Sequence, residues 1–417
     1  MPNFYDIAEG VRIIDLTDKK FKTFRIAFKM LVPLEKTTAS DNAMVISMVN
    51  RVTKEYQDYT ELSRKLASLY GAGLYSDVGK MGDNQVLSIA LSGISGRYAF
   101  GGEKMEKELL SILLSALFDP LTDERGLFPS ESFIQEKRQI LESIDADFND
   151  KKIFAMDRCF EELFVKEKAG ISKYGKYEDV ENVKEDDLLN VHKNILKKAR
   201  FEIFVSGDCD FKFVENTVKE YFNFERAPYK LTNETIPAKE KVKYAEDKQK
   251  LTQSKLVMGF KSECEDNTAF KLMAVILGAS PTSKLFVNVR EKMSLCYYCS
   301  ARAATLKKAM IIESGVENKN LNKAKDAILN ELDEIKKGNV TEEELTNAKL
   351  ALYNGLNSVE DSLYSKEVFY QNQIFDSVVL TPEEQIEKIR NTTLKDVIKA
   401  AESTKLDTVY TLKGTIK

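Results

Sequence analysis

Tryptophan is missing from this chain, and among its 417 residues histidine occurs once, at position 192. A single histidine excludes every metal or catalytic motif that needs two. Cysteine is sparse: five residues, odd in number and scattered, lay out no disulfide framework, so a reducing and cytoplasmic setting is expected. No apolar run approaches the roughly 20 residues that span a bilayer. The longest, LLSILLSALF, suits a buried helix face. The opening MPNFYDIAEGVRI carries Asp6 and Glu9 and has no basic region followed by an apolar core, so no secretory signal is expected there. Neither charge dominates. With 62 Lys and Arg against 66 Asp and Glu, the net charge of −4 argues against nucleic acid or a membrane surface as the partner.

What is present is the composition of a folded protein, 43% apolar and 31% charged, in a chain too long for one ordinary core. It is also written twice. SIALSGISGRYAFGGEKMEKELLSILLSAL with FPSESFIQEKRQILESIDADFND is paralleled by AMIIESGVENKNLNKAKDAILNELDEI with VTEEELTNAKLALYNGLNSVEDS. Met105, Leu109, Ile112, Leu113 and Ala116 form one helical stripe in the first copy, as do Leu321, Ala324, Ile328 and Ile335 in the second. Thr341 and Glu344 have capping-box spacing. The alternation of Phe24, Ile26 and Phe28 matches that of Leu256, Met258 and Phe260, and the two halves end alike as well. Between them, RAPYKLTNETIPAKEKVKYAEDKQK is polar and holds two prolines. These patterns predict an α+β fold of two homologous lobes, 1–225 and 251–417, joined by a linker over 226–250. Each lobe is expected to be an antiparallel-rich sheet packed with helices, the pair forming a clamshell around a cleft.

The stretch SPTSKLFVNVREKMSLCYYCSARA resembles S-x-L-F-x-x-x-R-E-x-x-x-L-x-Y of the insulinase-type (pitrilysin) zinc peptidases. YTELSRKLASLYGAGLYSDV and HKNILKKARFEIFVSGDCD are similar to further parts of that family, so the resemblance spans both halves. Members of this size resemble processing peptidases, in which two chains of two lobes each enclose a peptide. The family's active chain carries His-x-x-Glu-His on a helix, holds zinc with the two histidines and a later glutamate, and activates water with the motif glutamate.

Here that pattern fails. The motif position falls in AMVISMV, where Met44, Ser47 and Met48 stand, and the later ligand position falls on Ser143, with Glu142 about 100° away around a helix. No cofactor is therefore expected in this chain. The second-lobe pair survives: the resemblance implies that Arg290 binds substrate backbone and that Tyr297, or Tyr298 if the register slips by one, stabilises the oxyanion. On spacing alone the favoured readings are a surface arginine paired with Glu291 or Glu313 for Arg290 and a half-buried strand aromatic for Tyr297, and it is the resemblance that reverses that preference. The short ILGASPTSK replaces the long Gly-rich loop found in the noncatalytic subunit of processing peptidases.

The resemblance thus implies a zinc-less subunit assisting a homologous, zinc-motif-bearing partner on short or unfolded peptides, which would add as a strand to an edge such as GAGLYSDV. The rival readings are a noncatalytic peptide-binding or scaffold protein, which a homodimer would fit, and a carboxylate metal site of unusual type. Cys296 and Cys299 fall in a strand-like run, where residues three apart face opposite sides, and their C-x-x-C spacing reads as coincidence. His192 reads as a structural residue.

Overall fold

The computed structural model describes residues 2–415. They form two compact units, one built from residues up to Asp145 with Ile171–Thr232 and Glu360–Asn372, the other from Ala146–Gly170, Asn233–Val359 and residues from Gln373 on. Among the described residues, no helix is long and apolar enough to cross a membrane.

The first unit holds a six-stranded sheet. In chain order its strands are β1 (Asn3–Ala8), β2 (Val11–Thr17), β3 (Thr23–Pro33), β4 (Gly73–Met81), β5 (Asn84–Ile94) and β6 (Arg200–Gly207), arranged β1-β2-β6-β3-β5-β4. The second unit holds β7 (Lys243–Gln249), β8 (Ser254–Ser262), β9 (Cys296–Ala304), β10 (Ala309–Val316) and β11 (Thr404–Gly414), arranged β7-β11-β8-β10-β9. The second order repeats the first without β1. In each sheet one pair is parallel, β2 with β6 and β7 with β11, and the other neighbours are antiparallel. The written-twice sequence is therefore a twice-used topology. β7 lies inside the stretch read as linker; its KYAEDKQ has no apolar alternation because both of its faces are largely open to water.

Both helical stripes do what their spacing predicts. Met105, Leu109, Ile112, Leu113 and Ala116 of helix Met105–Phe118 are buried against the first sheet, and Ala324, Ile328 and Ile335 of helix Leu321–Lys336 against the second. Each large aliphatic side chain so buried contributes roughly 1.5–3 kcal/mol. Thr341 and Glu344 close a reciprocal capping box at the start of helix Glu342–Asn357.

The other face of each central strand is covered by a segment from the opposite half of the sequence. Helix Leu363–Gln371 belongs to the first unit, and helix Lys151–Leu163 with the turn after it belongs to the second. Each visitor carries a buried carboxylate. Glu367, fully buried, accepts from Arg25 Nε at 2.6 Å and pairs with Lys29 Nζ at 2.7 Å, both cations from β3. Glu167 pairs with Lys261 of β8 and, at 2.7 Å, with Lys307. Lys29 and Lys261 occupy matching positions of the repeat, five residues beyond Phe24 and Leu256 respectively. Burial holds the Lys261 ammonium below its usual range, opposed by Glu167.

Removing either carboxylate strands two buried cations. Glu367→Ala and Glu167→Ala should each lower the unfolding free energy by about 3–5 kcal/mol in urea melts. Exposed Glu220→Ala should stay within about 0.5 kcal/mol of the parent.

Candidate functional site

In the first unit, helix Ala39–Val49 carries Met44, Ser47 and Met48, and helix Ser130–Asn149 carries Ser143. Met44 and Met48 point into the core and are almost completely buried. Ser47 and Ser143 instead line one cavity of about 510 Å³, together with Asn50, Arg51, Gln135, Glu136 and Gln139. The Ser143 hydroxyl donates to the Gln139 carbonyl at 2.8 Å, and Arg51 Nη1 donates to Glu136 Oε1 at 2.8 Å. Burial raises the Glu136 carboxyl, with Arg51 opposing it.

This chemistry does not fit zinc. Two thioethers turned into the core and two hydroxyls supply neither imidazole nor carboxylate, and Glu136 is engaged by a guanidinium. Among the described residues, no three His, Cys, Asp or Glu side chains stand close enough to hold a metal ion. The Arg51–Glu136 pair was not anticipated from sequence. Arg51 lies in the turn just past helix Ala39–Val49 and Glu136 on helix Ser130–Asn149, so periodicity within either segment gave no sign of the pair.

β4 closes this region as the edge strand of its sheet, paired with β5 and, among the described residues, with no strand on its other side. Ser76 and Asp77 of β4 line both the 510 Å³ cavity and a second recess of about 730 Å³, where Tyr75 and Tyr364 flank Arg25. The Arg25 guanidinium lies 5.9 Å from the Tyr75 ring and 5.5 Å from the Tyr364 ring.

In the second unit, Arg290 sits on helix Leu285–Lys292, whose wide winding is marked by Met293 N donating to Asn288 O at 2.9 Å. Its guanidinium packs 4.4 Å over the Phe286 ring. Among the described residues it makes no ion pair; Glu313 is taken by Lys152 at 3.0 Å. Tyr297 is 59% exposed on β9, an edge strand. Lys319 chiefly, and the Tyr297 hydroxyl in smaller part, hold the Glu317 carboxyl below its usual range. Tyr298 lies across Gly315, where an added Cβ would come within 2.5 Å of its ring, and Lys152 and Lys255 stand 5.0 and 5.6 Å from that ring. Burial pushes its hydroxyl pKa well up.

The reading of Cys296 and Cys299 as residues on opposite faces is corrected here. Gly315 is opposite Tyr298 but Val316 is opposite Cys296, so Tyr297 is the extra residue of a β-bulge. Cys299 faces Ser314 and Cys296 faces Val316, two residues apart on β10 and therefore on one side. Both cysteines accordingly enter the same core, 9% and 5% exposed. A strand pattern carries no mark of a bulge, which is why the spacing misled.

His192 is buried on helix Glu185–Lys198, and its Nε2 donates to the Leu117 carbonyl at 2.7 Å. Burial lowers its pKa below 6.5, so the unfolded chain binds the proton more readily and the stability from neutral His192 is lost as pH falls below 6.5. As the one histidine, it gives one pair of imidazole proton signals; in an NMR titration these should begin to move only below pH 6.5, and a midpoint at or above that value would contradict the buried placement.

Residues 182–352 match the family described as Peptidase M16 inactive domain. The chain is 30% identical over 403 residues to the probable inactive metalloprotease YmfF of Bacillus subtilis (strain 168), covering 95% of this chain and 94% of that protein. Its fold is similar to the crystal structure of a conserved protein from Enterococcus faecalis V583, with a TM-score of 0.92 at 24% identity, covering 100% of this chain and 99% of that one. It is also similar to a peptidase M16 inactive domain from Pseudomonas fluorescens, with a TM-score of 0.80 at 15% identity, covering 100% and 98%.

Proposed function

The chain belongs to the M16 peptidase family, among its inactive members, and we propose that it serves as the zinc-less half of a two-chain peptidase. A homologous partner bearing His-x-x-Glu-His supplies zinc and the water-activating glutamate, and this chain supplies Arg290 and Tyr297. The observation that carries the reading is the contrast between the two units. At the positions that the resemblance assigns to the zinc site stand core thioethers and hydroxyls, whereas among the described residues Arg290 makes no ion pair and Tyr297 stands exposed on an edge strand.

Those two side chains suit transition-state work on a peptide. A guanidinium unengaged by carboxylate can fork onto carbonyl oxygens of the substrate backbone. A phenol is a neutral donor at pH 7, and it helps most when aimed at charge that develops on the carbonyl oxygen during attack. Tyr298 is the poorer candidate, since its ring is occupied by Gly315 and two lysines.

Substrate adds as a strand to β4. A peptide there hydrogen-bonds through its backbone, so many sequences are accepted, and its alternate side chains meet the recesses bordered by Ser76 and Asp77. The substrates are short or unfolded peptides.

Cleavage of a quenched-fluorescent peptide library tests this with the chain alone, a zinc-motif homologue from the same organism alone, and the two mixed. Only the mixture should cleave. Tyr297→Phe in this chain should then lower kcat about 10²–10³-fold with little change in KM, and Arg290→Ala should lower kcat/KM at least as far. A homologue fully active by itself and indifferent to mixing would leave this chain as a peptide-binding or scaffold protein. Replacing Gly79 of β4 with proline should weaken peptide capture under either outcome.

A further inference from the structure

We propose that Cys296 and Cys299 form a thiol-oxidation site, a dithiol that hydrogen peroxide converts to an intramolecular disulfide at the base of the Tyr297 bulge. Three features of the fold carry this. The bulge turns both side chains to one face of β9 and into one core. Ser314, directly across from Cys299, donates its hydroxyl to the Tyr298 carbonyl at 2.9 Å and so pins the backbone between the two cysteines. Arg290, on the helix preceding β9, places its positive charge where it favours the Cys296 thiolate.

The two thiols are unequal. The hydrogen bond from Cys299, aided by Ser314 and Arg290 and opposed by burial, brings Cys296 down to about 7. Cys299 is pushed well above its usual range by the same hydrogen bond and by burial, with Glu313 of β10 adding. An attacking thiolate beside a protonated second thiol is the arrangement that stepwise oxidation needs.

In the first step the Cys296 thiolate sulfur attacks one peroxide oxygen. The O–O bond breaks and hydroxide leaves as water after taking a proton, and Cys296 becomes a sulfenic acid. In the second, Cys299 gives up its proton and its sulfur attacks the Cys296 sulfur; the S–O bond breaks and a second water leaves. Two electrons have passed from the dithiol to the peroxide. A small neutral oxidant matches a pair that is 9% and 5% exposed.

Closure has a structural consequence. Residues three apart along a strand lie on the order of 10 Å apart, whereas a disulfide holds its Cα atoms within about 4.4–6.8 Å. The bulge must tighten, and Tyr297 and Tyr298, which lie between the two cysteines along the chain, must move. Control of peptide cleavage through Tyr297 rests on the proposed function; the oxidation itself does not.

Trypsin releases both cysteines in one peptide, 293–302, which contains no other cysteine. The reduced, folded chain is exposed to hydrogen peroxide, then denatured, alkylated with iodoacetamide and digested. The expected product is peptide 293–302 two mass units lighter and unalkylated, restored by dithiothreitol, forming at least ten-fold faster at pH 7 than oxidation of Cys264. Cys264 is more open to solvent, but burial holds its thiol above the usual range. The rate should rise with pH through about 7, as the Cys296 thiolate fraction grows. Cys299→Ser should stop the reaction at a sulfenic acid on Cys296 that dimedone traps.

Oxidation of Cys264 ahead of this pair, or sulfinic acid on Cys296 with Cys299 still alkylated, would overturn the proposal. In the reconstituted pair, peroxide should lower peptide cleavage and dithiothreitol restore it, while a Cys296→Ser, Cys299→Ser chain stays insensitive. A disulfide that forms by mass but leaves cleavage unchanged would keep the oxidation site and refute its coupling to Tyr297.

Discussion

Each half of this chain is completed by a buried carboxylate that the other half supplies. Glu367 reaches Arg25 and Lys29 on β3, and Glu167 reaches Lys261 and Lys307 beside β8. An isolated buried ammonium or guanidinium is prohibitively costly, so β3 and β8 cannot bury their second faces until the visiting segment arrives. Neither half of the sequence closes its sheet with its own residues. The repeat is thus bound up with the exchange: Lys29 and Lys261 are the same position used twice, each answered from the opposite half.

The chemistry follows a corresponding division. In the first unit the helices carrying Met44, Ser47, Met48 and Ser143 are packing elements whose methionines lie in the core and whose serines line a cavity. The Arg51–Glu136 pair now occupies that cavity and satisfies a carboxylate that burial would otherwise neutralise. In the second unit, helix Leu285–Lys292 and the bulge of β9 are ordered by packing, yet among the described residues they leave the Arg290 guanidinium without an acid and the Tyr297 phenol in solvent.

The bulge is the detail on which that second site turns. One extra residue, Tyr297, lifts out of the β9 pleat, and every side chain before it changes face relative to those after. The same insertion that presents Tyr297 brings Cys296 and Cys299 to one side. The thiol pair and the exposed tyrosine are two results of a single irregularity in the ladder.

Local pattern was enough to locate the helix stripes, the capping box of Thr341 and Glu344, the alternating strands and the repeat, because these depend on side-chain periodicities of 3.6 and 2 and on neighbours within a few residues. The absence of a two-histidine zinc motif was equally legible, since it follows from counting. Three things were not: β7, an edge strand with no apolar face; the partners of Lys29 and Lys261, which lie far along the chain; and the bulge that reverses the facing of Cys296. Each is set by pairing between distant residues, and periodicity within one segment carries no information about which strand lies opposite it or in what register. The residues themselves therefore determined the fold class and excluded the two-histidine zinc motif, whereas long-range burial and strand register decided which charges are paired, which tyrosine is exposed and which thiols meet.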